Sequence, residues 1–302
     1  MKKTEQNILF GYFLLFVQPI FMSSNLIVAR GGVEFVPPIT LAFLRWSLAF
    51  LILLPFLWGV LSQNYNNILN EKYRLFFLGA TACGICGAFP FIAGVTTTIT
   101  NMGIIYSTSP IFIILFSTFF SEKLNKVQFI GLVLCLIGVV SIIIKGDINL
   151  LLKLKFTSGD LWMLGAALGW ALYSVFLLNW RSKLNTLTRF TVIAFFGSIS
   201  LLPFSFLEVV FFEKIIFSKE LVLWVLFAAI SPSIVAFLLH VKLQNYLGAS
   251  ISGFNLYLYT LYGAIYGIIF FGEKIEVYHY YGAALVLMGI YLVKLKSNKK
   301  NA

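Results

Sequence analysis

The sequence predicts an all-α integral membrane protein: ten transmembrane helices arranged as two inverted five-helix repeats. Three observations carry that expectation. The first is composition: 60% of the 302 residues are hydrophobic, 11% are charged, and the mean hydropathy is +0.94. A soluble fold of this length buries only about three quarters of the surface its chain exposes, which leaves too much apolar area in water. The second is the length of the apolar stretches. They run to roughly 20 residues, enough for a helix to cross about 30 Å of hydrocarbon, and they lack the alternation of a barrel strand. The third is self-similarity. Residues Asn101 to Gly131 recur 151 positions later as Ser252 to Gly282, with Tyr106 on Tyr257, Glu122-Lys123 on Glu273-Lys274, Gly131 on Gly282 and Gly138 on Gly289. A duplication of hydrophobic helices is the mark of a transporter architecture.

Taken in order, the expected spans are 8–28, 38–61, 73–96, 101–120, 127–145, 159–180, 189–212, 220–241, 248–271 and 277–296. The first follows Met1-Lys2-Lys3 but is too long for a signal-peptide core, has no small-residue cleavage site and carries Gln18-Pro19, so it reads as a retained helix. The connections are short. The longest, near 145–158, separates a first unit, 1–146, from a second, 157–298. The third and eighth spans share a small-residue face: Gly79, Cys83 and Gly87 match Ala228, Pro232 and Ala236 at an offset of 149. Such faces let helix backbones approach closely. Gly131 and Gly138, with Gly282 and Gly289, do the same for the fifth and tenth.

Charge gives the orientation. With the N-terminus inside, fourteen Lys and Arg fall on the inner side, seven on the outer, and Arg45 lies within a span. This places both termini in the cytoplasm, and the expected location is the bacterial cytoplasmic (inner) membrane. Five helices per unit is an odd number, so the second copy enters from the opposite side and the site is expected near the midplane. The net charge of +11 sits mostly between apolar stretches, so nucleic acid is not an expected partner. The expected partners are the lipid bilayer and a small-molecule substrate; a homodimer is compatible with the sequence. Three cysteines say little about redox compartment.

The chain resembles the EamA-type family of the drug/metabolite transporter superfamily. The likeness rests on F-M-S-S-N-L-I-V-A-R ending at Arg30, L-A-F-L-R-W around Arg45, Y-S-T-S-P-I-F followed by S-E-K-L, and G-D-L-W-M-L-G-A-A-L-G-W-A-L-Y-S from Gly159. It covers nearly the whole chain, and order and spacing carry it rather than any one motif. One departure is Leu261, which stands where the family usually repeats the proline of Pro110. The resemblance implies helices one to four and six to nine around a central cavity, with five and ten at the periphery, and alternating access. It implies no particular substrate.

Nine residues are candidates for substrate contact. Asn255, Tyr259, Tyr262 and Tyr266 fall at i, i+4, i+7 and i+11 of the ninth span and form one stripe. Interhelical hydrogen bonding is the competing reading. Gln18 and Asn25, with Met22 between them, share a face of the first helix; Trp162 and Tyr173 share a face of the sixth. Arg45 is costly at its depth; it either pairs or snorkels, or it binds a substrate carboxylate. Cys83-Gly-Ile-Cys86 has redox or zinc spacing but lies on the packing face, so no metal site or cofactor is expected. His240 and His279 are placed near helix ends. Asp160 and Glu208 are also near ends, and the missing deep carboxylate favours facilitated or exchange transport over proton drive. The expected function is a secondary transporter for an amino acid or a small cationic or zwitterionic compound. The alternatives are a transporter of other substrates within the same superfamily, or an intramembrane enzyme, which would need a Ser/His, Asp/Asp or His–metal group at depth.

The orientation predicts opposite exposure of the two Glu-Lys pairs. In a variant lacking Cys83, Cys86 and Cys135, an impermeant thiol reagent applied to whole cells should label Lys274→Cys and spare Lys123→Cys; the reverse pattern would refute the topology.

Overall fold

A computed structural model describes residues 2–94, 96–97, 99–120, 124–152, 157–211, 215–272 and 275–297. The two Glu-Lys pairs lie outside the described residues. Ten helical rods follow one another among the described residues, with a single short turn of helix, Asn149–Leu152, in the link between the units. We label them α1 (Lys2–Ser23, resuming as Asn25–Gly31), α2 (Pro38–Gln63), α3 (Tyr65–Gly79, Ala80–Ile85 and Cys86–Gly94), α4 (Ile99–Tyr106, Ser109–Ser117 and Thr118–Phe120), α5 (Lys126–Ile143), α6 (Ser158–Asn179), α7 (Thr186–Phe211), α8 (Lys219–Ala228, Ala229–Val235 and Ala236–Ser252), α9 (Asn255–Phe271) and α10 (Val277–Ser297).

Eight of these, α1 to α8, are long and apolar enough to cross a membrane; α9, at 17 residues, and α10 are not among them. Three bounds differ from expectation. α3 begins at Tyr65, not 73, because the polar run Asn66 to Arg74 continues the helix beyond its apolar part. Past 241, α8 continues to Leu247; there Gly248 (φ 79°, ψ 169°) kinks the chain, a conformation that suits a residue without Cβ, and the helical stretch 249–252 lies beyond the kink. The chain kinks at Gly248, where the ninth span was expected to begin; Asn255 follows the short stretch 249–252 and opens the rod Asn255–Phe271.

Each irregularity has a local cause. In α4, Pro110 cannot donate to the preceding turn and biases the residue before it away from helix. The helix breaks at Ser107-Thr108, whose hydroxyls turn back onto the Ile104 and Ile105 carbonyls. α9 has Leu261 at the matching place and runs unbroken. In α1 the break at Ser24 comes from hydroxyls competing for backbone: Ser23 Oγ donates to Ile20 O at 3.3 Å and Ser24 Oγ to Phe21 O at 2.6 Å. The middle segments of α3 and α8, Ala80–Ile85 and Ala229–Val235, are both π-helical. They match at the 149-residue offset. In α8 the wider turn accommodates Pro232, and Ser233 Oγ donates to Ala228 O at 2.8 Å.

The principal helix contacts join the two units reciprocally: α1 packs on α8 and α9, α6 on α3 and α4, α2 on α7, and α5 on α10. The α5–α10 seam is built on backbone approach. A Cβ on Gly131 would lie 2.6 Å from Gly289 O, and one on Gly138 would lie 2.6 Å from Gly282 O. Residue pairs 131–289 and 138–282 run in opposite directions, so the two helices are antiparallel. Midway, Cys135 Sγ donates to Val286 O at 3.4 Å. At the α2–α7 contact, Glu208 caps α2. Its two oxygens accept from Ile39 N (3.0 Å), Thr40 N (2.7 Å) and Thr40 Oγ1 (2.8 Å). That pairs the orphan donors that Pro37, at the N-cap, leaves without a side-chain partner.

The largest core cluster lies between α2, α6, α7 and α8. Phe237 meets Trp46 edge-on at 4.8 Å and Trp170 edge-on at 5.6 Å, with Phe190 and Tyr173 completing the group. The outer surface is apolar as well: Phe56, Phe206 and Ile269 are all largely exposed. An apolar surface of this extent belongs against lipid.

The seam predicts an asymmetric response to added methyl groups. Gly138→Val should lower thermal stability in detergent, by about 1–3 kcal/mol if it behaves like other overpacked sites. Gly59→Ala, which meets nothing within 4 Å, should leave stability unchanged or raise it. Equal melting temperatures for Gly138→Val and wild type would show that the seam is not close-packed.

Candidate functional site

A chain in which 11% of residues are charged has few ways to satisfy polar groups at its centre. Here it uses a connected set from four helices: Gln18 of α1, Ser174 of α6, His240 and Gln244 of α8, and Asn255 of α9, each at most 1% exposed. The hydrogen-bond directions follow from one fixed point. Gln18 Nε2 donates to the Ala236 carbonyl at 3.2 Å, and a carbonyl can only accept. Gln18 Oε1 therefore faces Asn255 and accepts from Nδ2 at 2.7 Å. The same Nδ2 stands 3.4 Å from His240 Nδ1, so that nitrogen accepts and the ring proton lies on Nε2. Nε2 is 3.4 Å from Ser174 Oγ. Gln244 Nε2 donates to Ser174 O at 2.9 Å. Trp170 and Tyr173 flank the imidazole, at 4.9 and 6.3 Å between ring centres. Asn255 Oδ1, Gln244 Oε1 and the Tyr173 hydroxyl are buried with no partner among the described residues.

The arrangement bears on the hydrolytic alternative. A serine nucleophile needs a base nitrogen free to accept its proton, with the other ring nitrogen oriented by an acceptor. Here Nδ1 faces an amide donor and Nε2 carries the proton, which is the opposite tautomer. Among the described residues no group of three His, Cys, Asp or Glu side chains stands together as a metal site.

A second polar group lies where α1 resumes. Arg45, 6% exposed, donates from Nη1 to Asn25 Oδ1 and stacks over the Trp46 ring at 4.8 Å. It does not snorkel. Gly87 of α3 leaves room beside it: a Cβ there would lie 3.8 Å from Arg45 Nη2. Tyr259 of α9 faces Tyr106 of α4, the ring centres 6.3 Å apart.

The structure thus joins some of the sequence candidates and separates others. Gln18 and Asn255 bond directly. Asn25 leaves the Gln18 face after the break at Ser24 and serves Arg45. The α9 stripe divides: Tyr259 packs with the central cluster, Tyr262 with the cluster of α1, α5, α8 and α10. Tyr266 donates to Ile20 O at 2.8 Å, a carbonyl in the turn before the α1 break. Trp162 is 41% exposed and meets Phe89 edge-on at 4.8 Å. Tyr173 is buried and lines a cavity of about 320 Å³ with Leu177, Trp180, Arg189, Val241 and Gln244. This cavity lies at the end of the bundle where α6 joins α7, and shares Arg181 and Ser182 with a neighbouring cleft of about 430 Å³. Arg189 caps α6 there, donating to Leu177 O at 2.8 Å and Trp180 O at 3.0 Å.

His240 is a correction. Its expected place near a helix end followed from closing α8 at 241; the helix continues to Leu247, before the kink at Gly248, and the imidazole is fully buried. The missed signal was Lys242, whose charge suggested an end, whereas His240, Gln244 and Leu247 continue the buried face of the helix. Ser174 and Gln244 were also missed, since a lone small or amide side chain gives no periodic signal.

A family model described as the EamA-like transporter family matches residues 9–144 and 157–295. An uncharacterized transporter of Archaeoglobus fulgidus is 27% identical over 296 residues, spanning 95% of this chain and 98% of its own. The uncharacterized transporter YetK of Bacillus subtilis is 26% identical over 290 residues, spanning 93% of this chain and 86% of its own. A crystal structure aligns with a TM-score of 0.73 at 19% identity over 99% of both chains, a likeness of fold.

Coupling across the network is measurable. Gln18→Leu and Asn255→Leu should each lower thermal stability by about 1–3 kcal/mol, because each strands a buried partner. The double variant should cost less than the two losses added together. Strict additivity would mean that the amides do not depend on one another.

Proposed function

Because the chain belongs to the EamA-like transporter family, we propose that it is a secondary transporter that moves a small amino-acid-like, zwitterionic or cationic metabolite by alternating access. All ten rods are membrane spans in this reading, the shorter α9 and the less apolar α10 included, and they form two inverted five-helix repeats. The antiparallel glycine seam, the reciprocal packing of α1 and α6, and the π-helical turns at equivalent places in α3 and α8 support that arrangement. The membrane is the bacterial cytoplasmic membrane, with both termini inside.

One observation carries the functional reading: a fully buried amide–imidazole–hydroxyl network at the junction of helices from both units. Buried polar groups in a bilayer protein are costly unless paired, and they mark substrate paths. This network is paired loosely, with two of its contacts at 3.4 Å and acceptors left over at Asn255 and Gln244. It can exchange its internal bonds for bonds to a solute. The cavity ending on Tyr173 and Gln244 supplies an approach from the end where α6 joins α7, the cytoplasmic end by the Lys/Arg distribution. Gln18, Asn25, Arg45, Tyr173, Asn255 and Tyr259 border the path. In the same reading Tyr262, Tyr266 and Trp162 are scaffold, Tyr266 by pinning the broken turn of α1.

Reconstituted protein should catalyse counterflow of any solute that raises its melting temperature, and the solute should leave the vesicle unchanged in mass. His240→Phe and Asn255→Leu should cut that exchange at least about tenfold, the loss of roughly one buried hydrogen bond at 1.4 kcal/mol. Chemical conversion of the solute, or unchanged exchange in both variants, would refute the assignment.

A further inference from the structure

A guanidinium that is 6% exposed inside a membrane bundle needs a counter-charge or enough neutral acceptors to replace water. Arg45 has neither. Its one hydrogen-bond acceptor is Asn25 Oδ1, Nε is buried with no partner, and no ion pair reaches it among the described residues. A carboxylate does stand against α2: Glu208, on α7. Both oxygens of Glu208 are committed one turn away, to Ile39 and Thr40 at the start of α2. The remaining neighbours are aromatic or small: Trp46 beneath the guanidinium, and Gly87, where a Cβ would lie 3.8 Å from Nη2 and 3.3 Å from Trp46 Nε1. Asn25 owes its position to the break in α1, which turns the first residue after Ser24 toward α2 and away from Gln18.

We infer that Arg45, oriented by Asn25 and left with an unpartnered Nε, is the receptor for a carboxylate on the transported solute. This rests on the transporter reading and narrows it: the solute is a zwitterion or an organic anion, and a solute bearing only positive charge is excluded. A planar guanidinium presents two parallel N–H donors that match a carboxylate's two oxygens. A free Nε beside Nη2 is one such fork. A cation brought to the same place would meet an uncompensated positive charge at low dielectric. The neutral amide of Asn25 holds the fork without neutralising it, so the charge stays available to the solute.

The test uses matched pairs that differ in the carboxylate: glycine betaine with choline, L-leucine with L-leucinamide, and L-lactate with lactamide. Each is measured by thermal shift of the purified full chain and by counterflow in liposomes. At least one carboxylate member should raise the melting temperature by a few degrees and exchange across the vesicle; its partner should do neither. Asn25→Asp is the decisive variant, because it gives Arg45 a permanent internal carboxylate. It should raise the melting temperature of the solute-free protein and abolish both the solute-induced shift and the exchange. A purely structural Arg45 would give the first effect with the solute response unchanged, which would overturn the assignment. Arg45→Lys keeps the charge but loses the fork, and should weaken the response about tenfold or more. If choline or an amide stabilises and exchanges as well as its carboxylate partner, the transporter reading stands and this inference falls. If no member of the panel binds or exchanges, both fall.

Discussion

The hydrogen bond from Asn255 to Gln18 is the contact on which the centre of this protein depends. It joins the first helix of one unit to the fourth of the other. Its direction is set by a single main-chain carbonyl, that of Ala236, on a third helix. Reverse the Gln18 amide and its NH₂ would face the NH₂ of Asn255 while its oxygen faced a carbonyl. Every assignment further along, the tautomer of His240 and the role of Ser174 among them, inherits that constraint. In hydrocarbon, where water cannot repair a mismatch, such a chain has one good arrangement and several costly ones. That gives the bundle a defined closed state without a charge pair.

The two polar centres solve the same problem in different ways. Around His240 the groups are neutral and satisfy one another, with lone pairs to spare. Around Arg45 a full charge is held by a neutral amide and an aromatic face, while the Glu208 carboxylate, also against α2, caps that helix. The first arrangement satisfies its groups mutually and the second leaves the guanidinium Nε without a partner. Both rely on breaks in α1 and α8 that are caused by serines, a proline and a glycine rather than by the ligand-facing residues themselves.

The class of fold was legible in the sequence because it depends on quantities that add along the chain. Apolar length, glycine spacing and the 151-residue echo each report directly on helices and seams, and Gly131, Gly138, Gly282 and Gly289 meet as their spacing suggested. Leu261, noted as a departure from the family pattern, stands in a continuous helix, whereas Pro110 follows the break in α4. The site was legible only in part. Gln18, Asn255 and Arg45 stand out as polar residues in apolar runs, but which of them meet is a matter of helix rotation. The stripe on α9 has good periodicity, yet two neighbouring helices divide it. His240 was misplaced because Lys242 looked like an end, when α8 in fact passes that charge and continues to the kink at Gly248.

The π-helical turns give the bundle a phase as well as a shape. A π turn holds one residue more than an α turn, so the helix beyond it is rotated by about 100° relative to an uninterrupted α-helix of the same sequence. In α3 the residues after Ala80–Ile85 include Gly87, the one that lies against Trp46 and Arg45. In α8 the residues after Ala229–Val235 include Ala236 and His240, one fixing the amide chain and the other at its middle. Removing a single residue from either turn would keep every side chain of both centres in the sequence and aim them elsewhere. Length at these two places is therefore under as tight a constraint as residue identity, and substitutions there are better tolerated than deletions.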